Sequence, residues 1–161
     1  MERVVHTIPP IVSPESEILI LGTMPSPKSR EAAFYYAHPQ NRFWPALALA
    51  LDAEFPATRE EKAALILDHR LALWDVLQSC EIAGASDASI RNAIPNDIPA
   101  LIAQSRINRV LCTGAASARL YTKLVSPQTN IPCELLPSPS AANARMRLED
   151  LAREYRAVLF R

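Results

Sequence analysis

The chain has 161 residues, 49% apolar and 21% charged, which is enough for one buried core and rules out a disordered polymer. Its 17 basic and 17 acidic residues cancel, and a pI of about 6.8 excludes a histone-like grip on nucleic acid while leaving room for a local basic face. Three cysteines, Cys80, Cys112 and Cys133, cannot all pair and match neither zinc-ligand nor iron–sulfur spacing, so they read as reduced, packed thiols. Only three glycines, each isolated, exclude a G-x-G-x-x-G dinucleotide loop and a Walker A loop. The N-terminus lacks an apolar run of signal-peptide length and no stretch of about 18 apolar residues occurs, so a soluble, cytoplasmic protein without membrane contact is expected.

The apolar run Ile18-Leu19-Ile20-Leu21, stopped by Gly22, predicts a strand buried on both faces. The following Thr23-Met24-Pro25-Ser26-Pro27-Lys28-Ser29 is proline-rich and predicts an irregular loop, as does His38-Pro39-Gln40-Asn41. Phe43 to about Asp52 predicts a helix with Pro45 in its first turn. Thr58-Arg59-Glu60-Glu61 has the form of a capping box, opening a helix to about His69. Leu71 to Val76 predicts a second strand, and a polar loop is expected from about Glu81 to Asn96. Asp97 caps a short helix through Gln104. Arg109 to Gly114 repeats the strand-then-glycine pattern, followed by a helix from about Ala116 to Leu124. Cys133 to Leu136 is the fourth strand, opening into Pro137-Ser138-Pro139-Ser140-Ala141-Ala142-Asn143. Leu148, Leu151, Ala152, Tyr155 and Leu159 share one face of a C-terminal helix. Strands alternating with helices predict an α/β fold with a parallel sheet covered on both sides. No repeat or linker divides residues 1–161, so one domain is expected.

In such a sheet, ligands bind beyond the carboxyl ends of the strands, where the loops 23–29 and 137–143 emerge. Proline-stiffened loops there suit a preorganised pocket, although prolines also simply end strands. The block from Phe34 to Trp44 mixes aromatics with a carboxamide, an imidazole and a guanidinium, a combination that can stack a planar base and read its edge. Phe43 and Trp44 suit the core, whereas Tyr36 and Asn41 suit a pocket.

With these residues in view the chain resembles the uracil-DNA glycosylase superfamily, and within it the hypoxanthine-DNA (deoxyinosine) glycosylases, with mismatch-specific uracil-DNA glycosylases as nearest cousins. The resemblance rests on Leu19 to Ser26, Tyr36 to Trp44, and Leu136 to Ser140 with Ala141-Ala142-Asn143, in the family's order. It implies a three-layer α/β/α fold with a four-stranded parallel sheet, acting without metal or cofactor on DNA containing deaminated bases; a monomer is expected. Two positions depart from the wider superfamily pattern. Met24 stands where most members have a water-orienting Asp or Asn, and Leu136 stands where uracil- and mismatch-specific branches have His or Asn. The Met-Pro form is shared with the deoxyinosine branch, and points to hypoxanthine rather than uracil.

Under this resemblance Asn41 is the catalytic residue, holding water or bonding the leaving base, although an Asn here can also cap the helix at Phe43. Tyr36 would stack on the base, or pack as a core tyrosine. Thr23, Met24 and Pro25 would wall the base pocket, and Ser138 would bond the base or a phosphate. Ser26, Lys28, Ser140, Asn143 and Arg145 would contact DNA, with 140–145 entering the duplex. His38 and Asp75 are secondary candidates. A basic rim is expected from Arg106, Arg109, Arg119 and Lys123, together with Lys28, Arg30, Arg42, Arg145 and Arg147. Alternatives at this point are a uracil- or xanthine-releasing enzyme, an inactive damaged-DNA-binding module, and an enzyme acting on free nucleosides.

Overall fold

In the computed structural model, which describes residues 1–161, the elements run β1 (Glu2–Val5), β2 (Ile18–Gly22), α1 (Pro27–Ala32), α2 (Phe43–Ala50), α3 (Arg59–Asp68), β3 (Leu71–Asp75), β4 (Leu77–Ala83), β5 (Ser86–Pro95), α4 (Ile98–Ala103), β6 (Arg109–Thr113), α5 (Ala115–Leu124), α6 (Ser126–Thr129), β7 (Cys133–Leu136) and α7 (Leu148–Leu159). Four strands form a parallel sheet in the order β3-β2-β6-β7. Side chains alternate across it, so each strand feeds two cores. Ile20, Leu71, Leu73 and Leu111 pack with Phe43 and Leu47 of α2, Ile66 of α3, and Leu151 and Tyr155 of α7. Leu19, Leu21, Ala72, Val110 and Cys112 pack on the opposite face with Ile98 and Leu101 of α4 and Tyr121 of α5. The result is the expected three-layer α/β/α arrangement.

Most predicted elements form within a residue or two of their expected ends. The capping box is present: Glu61 N–H donates to Thr58 Oγ1 at 3.1 Å, and Thr58 N–H donates to Glu61 Oε1 at 3.0 Å. Asp97 caps α4 by accepting from Ala100 N–H at 3.2 Å.

Apart from the one-turn α6, which was not expected, three regions differ from the expectation. The loop 23–29 is irregular only to Ser26, because Pro27 sits at the first position of α1, where its missing N–H has no partner to lose. The polar stretch 81–96 is not a loop but most of an antiparallel hairpin, β4–β5, joined by the two-residue turn Gly84-Ala85. Gly84 has φ +58° while Ala85 does not share that sign, the pattern of a type II′ turn. Register shifts along the pair and the exposed side chains of β5 erase the two-residue alternation that would have revealed it. Residues before Ile18 carry an unanticipated strand, β1, which pairs with β4 and completes a second, three-stranded sheet.

Candidate active site

The carboxyl ends of the parallel strands lie level, with Gly22 beside Asp75 and Thr113 beside Leu136. The chain leaves β2 toward β3 on one side and leaves β6 toward β7 on the other, which opens a crevice between β2 and β6. A cavity of about 180 Å³ occupies it. Gly22, Asp75 and Thr113 line it from the strand ends, and Thr23, Met24, Pro25 and Ser26 from the first loop. Tyr36, His38 and Asn41 come from the aromatic block, and Ser138 and Ser140 from the last loop. The hairpin tip adds Gly84, Ala85 and Asp87.

Tyr36 adopts φ +52° and stacks on Phe43, with ring centroids 4.1 Å apart and planes 16° from parallel. Its hydroxyl lies 3.1 Å from Thr113 Oγ1. Thr113 donates to Leu21 O at 3.3 Å, which leaves the phenol to supply the shared proton. Burial, and then the Asp75 carboxylate, push this phenol well above the usual tyrosine range, so it is a neutral donor at physiological pH.

Asn41 lines the cavity and also touches the helix that follows it. Its Oδ1 accepts from Phe43 N–H at 2.9 Å and so supports the start of α2. An N–H donor fixes which amide atom faces it, so Nδ2 is the end without a protein partner. His38 Nδ1 accepts from Gln40 N–H at 3.1 Å. Ser138 Oγ accepts from Ser140 N–H at 3.2 Å.

Other candidates have structural duties. Ser26 caps α1, accepting from Ser29 N–H at 3.2 Å. Asn143 Nδ2 donates to Ser138 O at 3.0 Å and lies outside the cavity, as do Lys28 and Arg145, both exposed. Met24 packs against the core on the sheet face covered by α4 and α5, and Leu136 is fully buried. The basic rim is smaller than expected. Arg42 donates to the carbonyls of Ser140 at 2.8 Å, Asn143 at 2.9 Å, and Met146, so its charge is spent stapling the last loop to the start of α2. Arg30 donates to Pro25 O at 3.0 Å, and Arg109 pairs with Glu134 at 2.7 Å. No three His, Cys, Asp or Glu side chains are grouped to hold a metal ion.

Asp75 is not the surface or capping carboxylate that an aspartate usually is. It is 4% exposed, lines the cavity, and lies 2.8 Å from His6 Nε2 through Oδ2. His6 was not among the candidates; neither were Gly22, Thr113 and Asp87. A glycine ending a buried strand beside an aspartate ending its neighbour is the one local signal that could have found Gly22. No local signal marks His6.

The family model of the uracil DNA glycosylase superfamily matches residues 9–159. The chain belongs to that superfamily. Among curated relatives, a protein of Methanosarcina acetivorans named hypoxanthine DNA glycosylase is 32% identical over 138 residues, covering 85% of this chain and 87% of the relative. One of the same name from Methanosarcina barkeri is 27% identical over 139 residues, with 85% and 87% covered. Among solved structures, the solution NMR structure of a uracil DNA glycosylase candidate from Methanosarcina acetivorans superposes with a TM-score of 0.78 at 26% identity, covering 94% of this chain and 96% of that one. The match to the superfamily spans all four parallel strands and the crevice between them. It does not reach β1 or His6. No helix is long and apolar enough to cross a membrane.

Proposed function

We propose that this member of the uracil DNA glycosylase superfamily, a single domain over residues 1–161 acting as a cytoplasmic monomer, hydrolyses the N-glycosidic bond of a deaminated base flipped from DNA, with hypoxanthine as the base released. The observation that carries the reading is the convergence of Tyr36, Asn41, Asp75 and Ser138 on one cavity at the strand ends. The relatives named for hypoxanthine support the choice of base.

Breaking this bond places positive charge on the sugar and negative charge on the departing base, so donors aimed at the base lower the barrier. Tyr36, backed by Phe43, offers a stacking surface worth roughly 1–3 kcal/mol per base. Thr23, Met24 and Pro25 close the sides, with Met24 giving an apolar, polarisable wall. Because Oδ1 of Asn41 is held by Phe43 N–H, the amide Nδ2 is the group offered to the leaving base. Asp75 reads the polar edge of the base. No lysine lines the cavity, which favours water over an amine as nucleophile. His38 stands at the entrance as a hydrogen-bonding group, and Ser138 serves base or phosphate. Ser26, Lys28, Ser140, Asn143 and Arg145 form the DNA-facing rim, with the segment 140–145 holding the gap left by the flipped nucleotide.

The test is a duplex oligonucleotide carrying one deoxyinosine, incubated with the protein and then treated with alkali. Strand cleavage at the lesion is expected. Asn41→Ala is expected to slow release about 100-fold or more, as loss of a preorganised donor does. Losing the bond to Phe43 should cost only about 1 kcal/mol of stability, read from denaturant unfolding. Unchanged release would remove Asn41 from the mechanism. Met24 and fully buried Leu136, which leave two usual catalytic positions without a polar group, favour a second reading, a damage-binding module. Lesion-dependent binding without base release would select it.

A further inference from the structure

His6 has no part in the chemistry described above, yet its side chain is almost wholly buried and meets the buried Asp75 carboxylate at 2.8 Å. It follows β1 directly, and its backbone N–H donates to Gln78 O at 2.6 Å, so the small sheet carries it to the carboxyl end of β3. A carboxylate only accepts, which makes Nε2–H the donor to Oδ2. Oδ1 accepts no hydrogen bond from the protein and lies at the cavity. It stands 2.5 Å from where a Cβ on Gly22 would be, and Tyr36 Oη stands 3.1 Å from the same point. The glycine therefore leaves the space in which this one carboxylate oxygen and a neutral phenol sit side by side.

We propose that His6 is a positioning residue that sets base selectivity by holding Asp75 with Oδ1 as a fixed acceptor toward the ring nitrogen of the bound base. The inference rests on the functional reading above and adds the element that decides which bases fit. Hypoxanthine and xanthine carry a proton on N1 and donate to Oδ1. Adenine carries a lone pair there, and two acceptors face each other in a partly desolvated site, a mismatch that costs tenfold or more by the usual penalty of about 1–3 kcal/mol for an unpaired buried polar group. Freed of His6, the carboxylate can turn and accept from the 6-amino group of adenine instead, and the discrimination narrows. The contact does not separate hypoxanthine from xanthine, since both donate from N1.

The experiment measures single-turnover base release from duplexes carrying deoxyinosine, deoxyxanthosine or deoxyadenosine at one position, for the wild type, His6→Leu and His6→Gln. Comparing ratios between variant and wild type cancels the cost of flipping each base. Relative to the wild type, His6→Leu is expected to narrow the hypoxanthine-to-adenine ratio about tenfold or more, with the hypoxanthine-to-xanthine ratio within about twofold of its starting value. His6→Gln, whose amide can replace the Nε2–H donor, is expected to restore most of the selectivity. General destabilisation would slow all three substrates together. A folded His6→Leu protein with both ratios unchanged overturns the inference alone. Absence of hypoxanthine release by the wild type overturns the functional reading and this inference with it. If His6→Leu does not fold, His6→Asn, whose shorter amide falls short of Oδ2, is compared with His6→Gln: a narrower adenine ratio in His6→Asn supports the proposal, and equal ratios overturn it.

Discussion

Gly22 matters for what it lacks. A methyl group there would lie 2.5 Å from Asp75 Oδ1, closer than real side chains approach, and 3.1 Å from Tyr36 Oη, tighter than most contacts. The position does not require glycine for its backbone, since its φ is not positive. Gly22→Ala should therefore fold and keep β2 paired, while the carboxylate and phenol are displaced from the cavity. Base release is expected to fall about 10-fold or more, as for other changes that shift reacting groups by about 1 Å. Thermal unfolding should drop only modestly, in line with a loss of about 1–3 kcal/mol from overpacking. Unchanged release in a folded variant would show that Asp75 and Tyr36 need not stand where they do. At this scale the sequence was informative where residues act through their neighbours in the chain. Asn41 precedes the helix it supports by two residues, so both its helix-capping and its pocket-facing roles could be anticipated. Asp75 and His6 are 69 residues apart, and nothing local foretells that one will bury the other.

Between elements, Arg42 has the largest reach. Its backbone N–H donates to Pro139 O at 3.0 Å while its guanidinium bonds three carbonyls of the segment leading to α7. This joins the block bearing Tyr36 and Asn41 to the loop bearing Ser138, which are otherwise separated along the chain by five strands and five helices. Arg42→Ala should cost about 2–4 kcal/mol, because several charge-assisted bonds vanish and the carbonyls lose their partners. Release should weaken as well, since the two sides of the cavity lose their tie. A loss below about 0.5 kcal/mol by denaturant unfolding would show that the loop holds itself. Element boundaries followed the strength of the local signal. The capping box at Thr58, the cap at Asp97 and the apolar runs at β2, β3, β6 and β7 are short-range and were readable. The β4–β5 hairpin was not, since its irregular register and exposed outer strand carry no clean alternation.

Over the whole molecule, zero formal charge conceals how the charges are spent. Arg109 ties β6 to Glu134 on β7 and to the carbonyls of Val158 and Leu159 at the end of α7. The hydrogen bonds from Arg109 hold the Glu134 carboxyl below the ordinary glutamate range; burial opposes them, and the charges of Arg109 and Arg161 add to the lowering. A depressed carboxyl stabilises the fold above its unfolded-state pKa, and that stability is lost as pH falls through the depressed value. Glu134→Gln should thus be less stable than the wild type at pH 7, by about 1 kcal/mol for a partly exposed pair, with the difference closing as pH drops below about 4. A gap that stays constant in denaturant midpoints across that range would assign the effect to packing instead.

The sequence by itself determined the layered α/β architecture, the edge of the sheet that carries the candidate site and the family, because apolar runs, caps and short motifs are properties of neighbouring residues. Only the tertiary structure decided that Arg42 staples the last loop to the start of α2, that a hairpin tip lines the cavity, and that Asp75 is held by His6. Those facts depend on which distant segments share one small space. The parallel register of the strands and the pairing of β1 with β4 create that space, and no single stretch of chain encodes it.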